Sequence, residues 1–114
     1  MTKALTLPRL ERQYARWRAK LSQIGHLSQG SVQDRTARAG GGVGYQWTRK
    51  VAGKTVTVAL TSEQYQRMKE AVANKRKLFL IISQMERLSR QIIFQTHPHR
   101  HRHKRLSRKV LGLN

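Results

Sequence analysis

The chain has 114 residues, enough for one small domain with a tail and too few for a second hydrophobic core. Its 24 lysines and arginines against 5 acidic residues give a net charge of +19, an imbalance that points to a polyanionic partner. The lack of cysteine excludes disulfides, thiolate zinc sites and cysteine nucleophiles. The few carboxylates lie far apart in sequence, so we expect neither an enzyme nor a cofactor.

The first predicted element is an amphipathic helix over residues 7–24. Apolar side chains recur at intervals of three and four residues from Leu7 to Ile24, which is the pattern of a helix that buries one stripe. Pro8 suits the first turn, and Gly25 is the expected left-handed cap at the C-terminal end. The opposite face carries the first candidate nucleic-acid-binding residues, which are Arg9, Arg12, Arg16 and Lys20.

Residues 25–44 are predicted to form a glycine-rich loop and residues 44–60 a β-hairpin. Apolar and polar side chains alternate along both strands, and Tyr45 and Trp47 share the face expected to be buried. Gly53 is the expected left-handed residue of a bulged turn. A two-stranded ribbon fits the major groove of DNA, although a solvated sheet face explains the same pattern. The candidate contacts on this hairpin are Gln46, Thr48, Lys50 and Lys54.

A long helix is predicted from residue 62 to about residue 95. Thr61 and Gln64 form the capping-box pattern that starts it, with Ser62 as the competing N-cap. Residues 78–82 are apolar on every face and are therefore expected to be buried all round, which indicates a dimer or a larger assembly. The cations that interrupt the apolar stripe are further candidate phosphate contacts: Lys75, Arg76 and Lys77.

From His97 onward the composition changes to that of a basic tail. Like charges repel along residues 97–114, so this segment is predicted to be disordered when alone. Its alternating histidines are a pattern that can bind transition metals, but the flanking arginines would repel a dication and favour a nucleic-acid tail. The candidate contacts in the tail are Arg100, Arg102, Lys104, Arg105, Arg108 and Lys109.

The hairpin and its flanks resemble a family of small uncharacterised bacterial proteins that are often encoded near transposases and other mobile-element genes. The resemblance rests on the strings 44–57 and 60–64 and on the Gly30-Ser31 step, and it covers roughly residues 10–92. It implies a helix, a Tyr/Trp strand and a long second helix. The cysteine-rich knuckle of many members is absent here. The hairpin also resembles, in architecture, the arm-binding domains of tyrosine recombinases, which present a small sheet to the major groove.

These patterns together predict an α+β fold, with a small nucleic-acid-binding domain over residues 1–96 and a basic tail over 97–114. The expected function is non-catalytic nucleic-acid binding, with DNA slightly favoured, as an accessory subunit of a cytoplasmic mobile-element or nucleoprotein complex. One alternative is a structural RNA-binding subunit of a ribonucleoprotein. Another is a helical adaptor whose apolar stripes bind a protein partner or a second copy. No apolar run approaches the length of a membrane span, so no membrane partner is expected.

Overall fold

A computed structural model describes residues 6–36, 44–98 and 106–113 of the chain. The elements in chain order are α1 (Leu7–Leu21), β1 (Ser31–Asp34), β2 (Tyr45–Val51), β3 (Lys54–Leu60), α2 (Ser62–Thr96) and α3 (Arg108–Leu111). Helices combined with an antiparallel sheet confirm the predicted α+β class. Residues 24–78 form one compact unit, here called the sheet unit, and the chain on either side of them forms a second, the helical unit.

The helical unit buries the apolar stripe of α1 that the sequence predicted. Leu10 is fully buried and the later stripe residues of α1 are half-buried, while Ile81 and Leu88 of α2 are buried in the same unit. The helix ends at Leu21, earlier than predicted, and its C-cap Ser22 has a right-handed conformation. The prediction that Gly25 caps this helix is therefore wrong.

The loop that follows α1 is held along the first part of α2, and this explains where Gly25 lies. The Asn74 side-chain nitrogen donates to the His26 carbonyl at 3.0 Å, and the Ser28 backbone nitrogen donates to the Ala71 carbonyl at 3.2 Å. A Cβ added to Gly25 would lie 3.4 Å from the Asn74 side-chain nitrogen. Gly25 therefore lies beside α2 and does not end a helix.

The sheet has three antiparallel strands in the order β1-β2-β3. Val32 of β1 pairs with Trp47 of β2, which in turn pairs with Val58 of β3. The sequence predicted β2 and β3 but placed β1 within a loop. Four residues with a single large apolar side chain are too short to show a strand periodicity, so β1 is defined by its pairing with β2 and not by its own pattern.

The turn between β2 and β3 differs from the prediction. Val51 pairs directly with Lys54, so the loop contains only Ala52 and Gly53. Both have positive φ, 49° and 81°, as a type I′ turn requires. The predicted bulged turn is therefore wrong, because the left-handed conformation extends to Ala52 as well as the glycine.

The start and the end of α2 follow the prediction closely. Thr61 N donates to Gln64 Oε1 at 2.8 Å, and Gln64 N donates to Thr61 Oγ1 at 3.1 Å, which is a complete capping box. The helix ends at Thr96. Among the described helices, none combines the length and the apolar character that crossing a bilayer requires.

Within a single chain, residues 78–82 are buried on one side only, and their predicted burial by a partner on the other sides stays a prediction. Ile81 is 5% exposed, whereas Phe79 and Leu80 are 58% and 55% exposed and Ile82 is also exposed. Among the described residues, the burial of this segment is confined to the side of α2 that carries Ile81.

The basic tail contains one short ordered element. Ser107 Oγ accepts a hydrogen bond from the Val110 backbone nitrogen at 3.1 Å, and Gly112 closes α3 in a left-handed conformation. A Cβ on Gly112 would lie 2.8 Å from a guanidinium nitrogen of Arg90. The prediction of disorder is wrong for this segment, because a charge count misses the two local caps. Residues 99–105 lie outside the described residues.

Candidate nucleic-acid interface

The most regular group of cations lies on α1. Arg9, Arg12, Arg16 and Lys20 are all exposed, and their spacing of three and four residues places them along one side of the helix. At 1.5 Å per residue the row is about 16 Å long. The Lys20 ammonium lies 4.3 Å from the centre of the Trp17 ring, which draws this end of the row toward the apolar stripe. The helix thus presents a cationic row on the side opposite its buried residues.

Arg18 is a further exposed cation of α1 that the sequence reasoning did not assign. It follows Arg16 by two residues and therefore lies roughly 200° around the helix from it. Its place outside the row can be derived from helical periodicity alone. Glu11, the one acid of α1, lies close to the Arg18 side, so the row itself contains no carboxylate.

The polar face of the sheet carries three of the four predicted hairpin contacts, and two of these three already have hydrogen-bond partners. Gln46 Nε2 donates to Gln33 Oε1 at 2.8 Å, while Gln46 Oε1 accepts a long hydrogen bond of 3.4 Å from Arg35 Nη1. Thr48 and Thr57 are joined through their hydroxyls at 3.4 Å. Both Gln46 and Thr48 are half-buried, so either must release a neighbour before it can contact a base.

The two lysines of the hairpin lie at the end that carries its turn. Lys50 and Lys54 are both exposed, and they flank the type I′ turn. Lys50 lies on the polar face with Gln46 and Thr48, whereas Lys54 pairs with Val51 and shares the face of Trp47. Of the four hairpin candidates, these lysines are the ones whose charge is directly available to a phosphate.

Trp47 is held by the loop before β1 and serves the fold. Its Nε1 donates to the Gln29 carbonyl at 2.9 Å, and the Arg49 guanidinium lies 5.1 Å from its ring centre. Gly30, which follows Gln29 in the chain, has φ +100° and approaches the β2 backbone closely. Trp47 is half-buried, and this geometry favours a structural role in the sheet unit over a role in which its ring stacks on unpaired bases.

Arg35 and Arg49 are cations of the sheet unit that the sequence reasoning did not assign. Both are half-buried, and the buried Nε of each finds no hydrogen-bond partner among the described residues. Strand parity could have placed Arg49 on the Trp47 face. No sequence signal pointed to Arg35, because it follows the strand that was predicted as a loop.

The remaining predicted cations are divided between α2 and the tail. Arg76 and Lys77 are exposed at the end of the sheet unit's portion of α2, and Lys75 is half-buried. Arg108 and Lys109 are exposed on α3. The other predicted tail contacts lie outside the described residues: Arg100, Arg102, Lys104 and Arg105.

The helical unit also contains an apolar cleft of about 410 Å³ between α1 and the second half of α2. Tyr14, Leu21, Ile82 and Met85 supply apolar walls, and Ser89 and a Glu86–Arg90 ion pair at 3.9 Å lie at its rim. The two rim charges partly neutralise each other, so the cleft is suited to an apolar side chain more than to a phosphate.

A scan of known protein families, a search of curated proteins and a search of solved structures each gave no match to this chain.

Proposed function

We propose that this protein is a non-catalytic nucleic-acid-binding protein that serves as an accessory subunit of a mobile-element or nucleoprotein complex. The observation that supports this most directly is the exposed cationic row of α1, which contains no carboxylate, on a chain of net charge +19. Such a row faces a phosphate backbone favourably, because each neutralised phosphate releases a condensed counterion. The exposed lysines of the hairpin and of α2 add contacts of the same kind.

Duplex DNA is the preferred ligand in this proposal. The narrow ribbon formed by β2 and β3 suits the wide major groove of B-form DNA, whereas the major groove of A-form RNA is too narrow for side chains to reach bases. Gln46 and Thr48 are partly committed to neighbours, so backbone contact carries most of the affinity and base contact only a smaller share.

The salt dependence of binding tests the proposal. With roughly 6–10 phosphate contacts, the logarithm of affinity for duplex DNA should fall with the logarithm of salt concentration at a slope of about −5 to −9. Arg12→Gln should make this slope shallower by about 0.9, the amount expected for one lost phosphate contact. Arg18→Gln removes the same charge from the same helix but outside the row, and should leave the slope unchanged.

Three outcomes would contradict the proposal in different ways. A slope near zero would reject phosphate neutralisation altogether. Equal effects of Arg12→Gln and Arg18→Gln would reject the row as the contact surface and leave only a diffuse attraction. Tighter binding to duplex RNA than to duplex DNA at the same salt would favour the ribonucleoprotein alternative.

A second candidate function, a helical adaptor that binds a protein, is favoured by a different observation. α2 exposes several large apolar side chains, among them Phe79, Leu80, Ile93 and Phe94, and the apolar cleft opens beside Ile82 of the same helix. Surfaces of this kind commonly mark protein contacts. Leu80→Lys should then abolish capture of the partner while leaving the salt slope on DNA unchanged.

A further inference from the structure

The outer edge of β3 is unusually open. β3 ends the sheet order, and every residue from Lys54 to Ala59 is exposed, including Val56 at 37% and Val58 at 41%. The opposite edge is β1, which is only four residues long and carries Asp34. Short length and charge protect an edge from pairing with another strand, so the β1 edge is protected and the β3 edge is not.

The backbone groups that face outward from β3 can be identified from the turn. A two-residue turn joins the Val51 carbonyl to the Lys54 N–H. Hydrogen-bonded and non-bonded pairs alternate in an antiparallel ladder, so Val56 and Val58 also direct their backbone groups toward β2. Thr55, Thr57 and Ala59 therefore direct theirs away from the sheet.

An independent hydrogen bond on the other side of β2 fixes the same alternation. Arg35 N donates to the Gly44 carbonyl at 2.9 Å, so the backbone groups of Gly44 point toward β1. Those of the next residue, Tyr45, then point toward β3, where Tyr45 pairs with Leu60. The assignment of Thr55, Thr57 and Ala59 to the outer edge therefore does not depend on the turn alone.

Apart from Lys54 at its first position, β3 lacks the usual devices that protect an edge strand. Residues 55–60 contain no proline and no charged side chain. The register with β2 runs unbroken from Tyr45 opposite Leu60 to Val51 opposite Lys54, so no bulge twists the strand away. A regular, uncharged edge of this length is a template for another strand.

We propose that β3 pairs antiparallel with β3 of a second copy of this chain, about a two-fold axis at Thr57. In this register Thr57 lies opposite itself, Thr55 opposite Ala59 of the second copy, and Val56 opposite Val58 of the second copy. All three outward-facing residues then pair, with about six hydrogen bonds across the axis. An axis at Val56 or Val58 would leave one of them unpaired, which is why the axis falls at Thr57.

The side chains match as well as the backbone. The Val56–Val58 pairs cover apolar surface that each copy exposes alone, and facing threonines are a favourable cross-strand pair. Each Lys54 lies opposite Leu60 of the second copy, and the two Lys54 residues are about 20 Å apart. That separation exceeds the screening length of about 8 Å at physiological salt, so no local repulsion opposes the pairing.

Self-complementarity is what favours a second copy over a strand from another protein. An edge that binds an unrelated strand does not have to be compatible with an antiparallel copy of itself. Residues 54–60 are compatible in this way, because no two charged side chains lie opposite each other when two copies pair. The net charge of +19 on each copy still opposes association at low salt. Pairing is therefore expected to strengthen as salt is raised, in the direction opposite to nucleic-acid binding.

Pairing at β3 would create a continuous six-stranded sheet with one polar face. At about 24 Å this sheet is wider than the major groove of about 12 Å. Any contact of that face with DNA, which rests on the proposed function, is therefore with the phosphate backbone and is two-fold symmetric. The pairing itself needs no nucleic acid. Its failure and the failure of the proposed function are therefore distinguishable in nuclease-treated protein.

Single cysteines test the register, because the chain has none of its own. Thr57→Cys places two sulfurs across the axis, where paired Cα atoms lie about 5.5 Å apart, within the range that disulfides span. Thr55→Cys is the matched control on the same strand and face, with its two copies about 14 Å apart. The nuclease-treated full chains are oxidised mildly and compared on non-reducing gels. The buffer contains about 0.3 M salt, which screens most of the charge repulsion between the two copies.

We expect Thr57→Cys to yield at least about tenfold more disulfide-linked dimer than Thr55→Cys, since only the first pair meets the geometric range. A mixture of Thr55→Cys and Ala59→Cys chains should form the mixed dimer efficiently, as this register places those residues opposite each other. Equal yields at positions 55 and 57, or no mixed dimer, would overturn the proposal.

A proline substitution gives a second measurement that does not involve oxidation. The N–H of Thr57 faces outward, so Thr57→Pro removes no backbone hydrogen bond to β2, only the long hydroxyl contact with Thr48, but it blocks the outer edge. Sedimentation should show a dimer for the unaltered chain and a monomer for Thr57→Pro, with circular dichroism confirming that both are folded. A monomeric unaltered chain at high salt, or an unchanged dimer in Thr57→Pro, would refute pairing through β3.

Discussion

Replacing Gly30 with alanine should destabilise the sheet unit far more than an ordinary glycine substitution. Gly30 has φ +100°, a backbone conformation that side-chain-bearing residues rarely adopt. A Cβ at this position would lie 2.5 Å from the Thr48 carbonyl oxygen and 2.6 Å from Trp47 Nε1. The first of these contacts is with the backbone of β2, so it cannot be relieved by moving a flexible side chain.

The size of the effect follows from two parts. The unfavourable backbone conformation costs about 1–2 kcal/mol for a residue with a Cβ. Displacing β2, or the Trp47 ring with its hydrogen bond to the Gln29 carbonyl, adds a cost of about 1–3 kcal/mol typical of overpacking. The expected loss of unfolding free energy is therefore about 2–5 kcal/mol, a large fraction of the roughly 5–15 kcal/mol of a whole domain.

Gly44→Ala is the matched control for the conformational part. Gly44 has φ +114°, close to that of Gly30, but the described residues leave open space around its Cβ position. Its substitution should cost only the conformational part, about 1–2 kcal/mol. Urea unfolding followed by tryptophan fluorescence and far-ultraviolet circular dichroism measures both variants. Equal losses for Gly30→Ala and Gly44→Ala would refute the close approach of Gly30 to β2.

Four further outcomes are expected. Ala52→Asn should raise the unfolding free energy by about 1 kcal/mol in chemical denaturation, because Ala52 has φ 49° and asparagine tolerates a left-handed conformation; a loss of stability would contradict the type I′ turn. Thr61→Ala should cost about 1 kcal/mol by removing half of the capping box, and Ser62→Ala, beside it, should cost much less in the same thermal melts. Trp47→Ala should cost roughly 3 kcal/mol through lost burial, and a stable variant that no longer binds single strands would reassign Trp47 as a stacking residue. Deleting residues 97–114 should weaken binding to all sequences by a similar factor and make the salt slope shallower; a loss of α2 helicity would show that α3, which lies against Arg90, supports the fold.

The sequence predicted the elements whose signals are local. α2 was bounded to within about one residue, because its capping box and its apolar repeat are contained within a few turns of one helix. The hairpin strands followed from the alternation of side chains on either side of Gly53. Helical periodicity likewise separated the exposed cationic row of α1 from its buried stripe, so this part of the candidate site needed no structure.

Contacts between distant residues were decided by the tertiary structure alone. β1 is a strand only because it pairs with β2. Gly25, predicted to cap α1, lies instead beside the Asn74 side chain of α2. Gln46 was predicted as a free contact but is bonded to Gln33 and Arg35, which belong to the segment that the sequence assigned to a loop.

The physical reason is that periodicity and capping report which side of an element is apolar, not how much surface covers it. The apolar run at residues 78–82 predicts a partner for α2, and among the described residues Ile81 is buried while Phe79 and Leu80 are exposed. In the same way the alternation in β3 determined its two faces, while its open edge at Thr57 arises from the order of the strands. Composition and local pattern by themselves determined the charge, the helices and the hairpin; the packing of chain segments far apart in sequence decided which of those surfaces remain exposed.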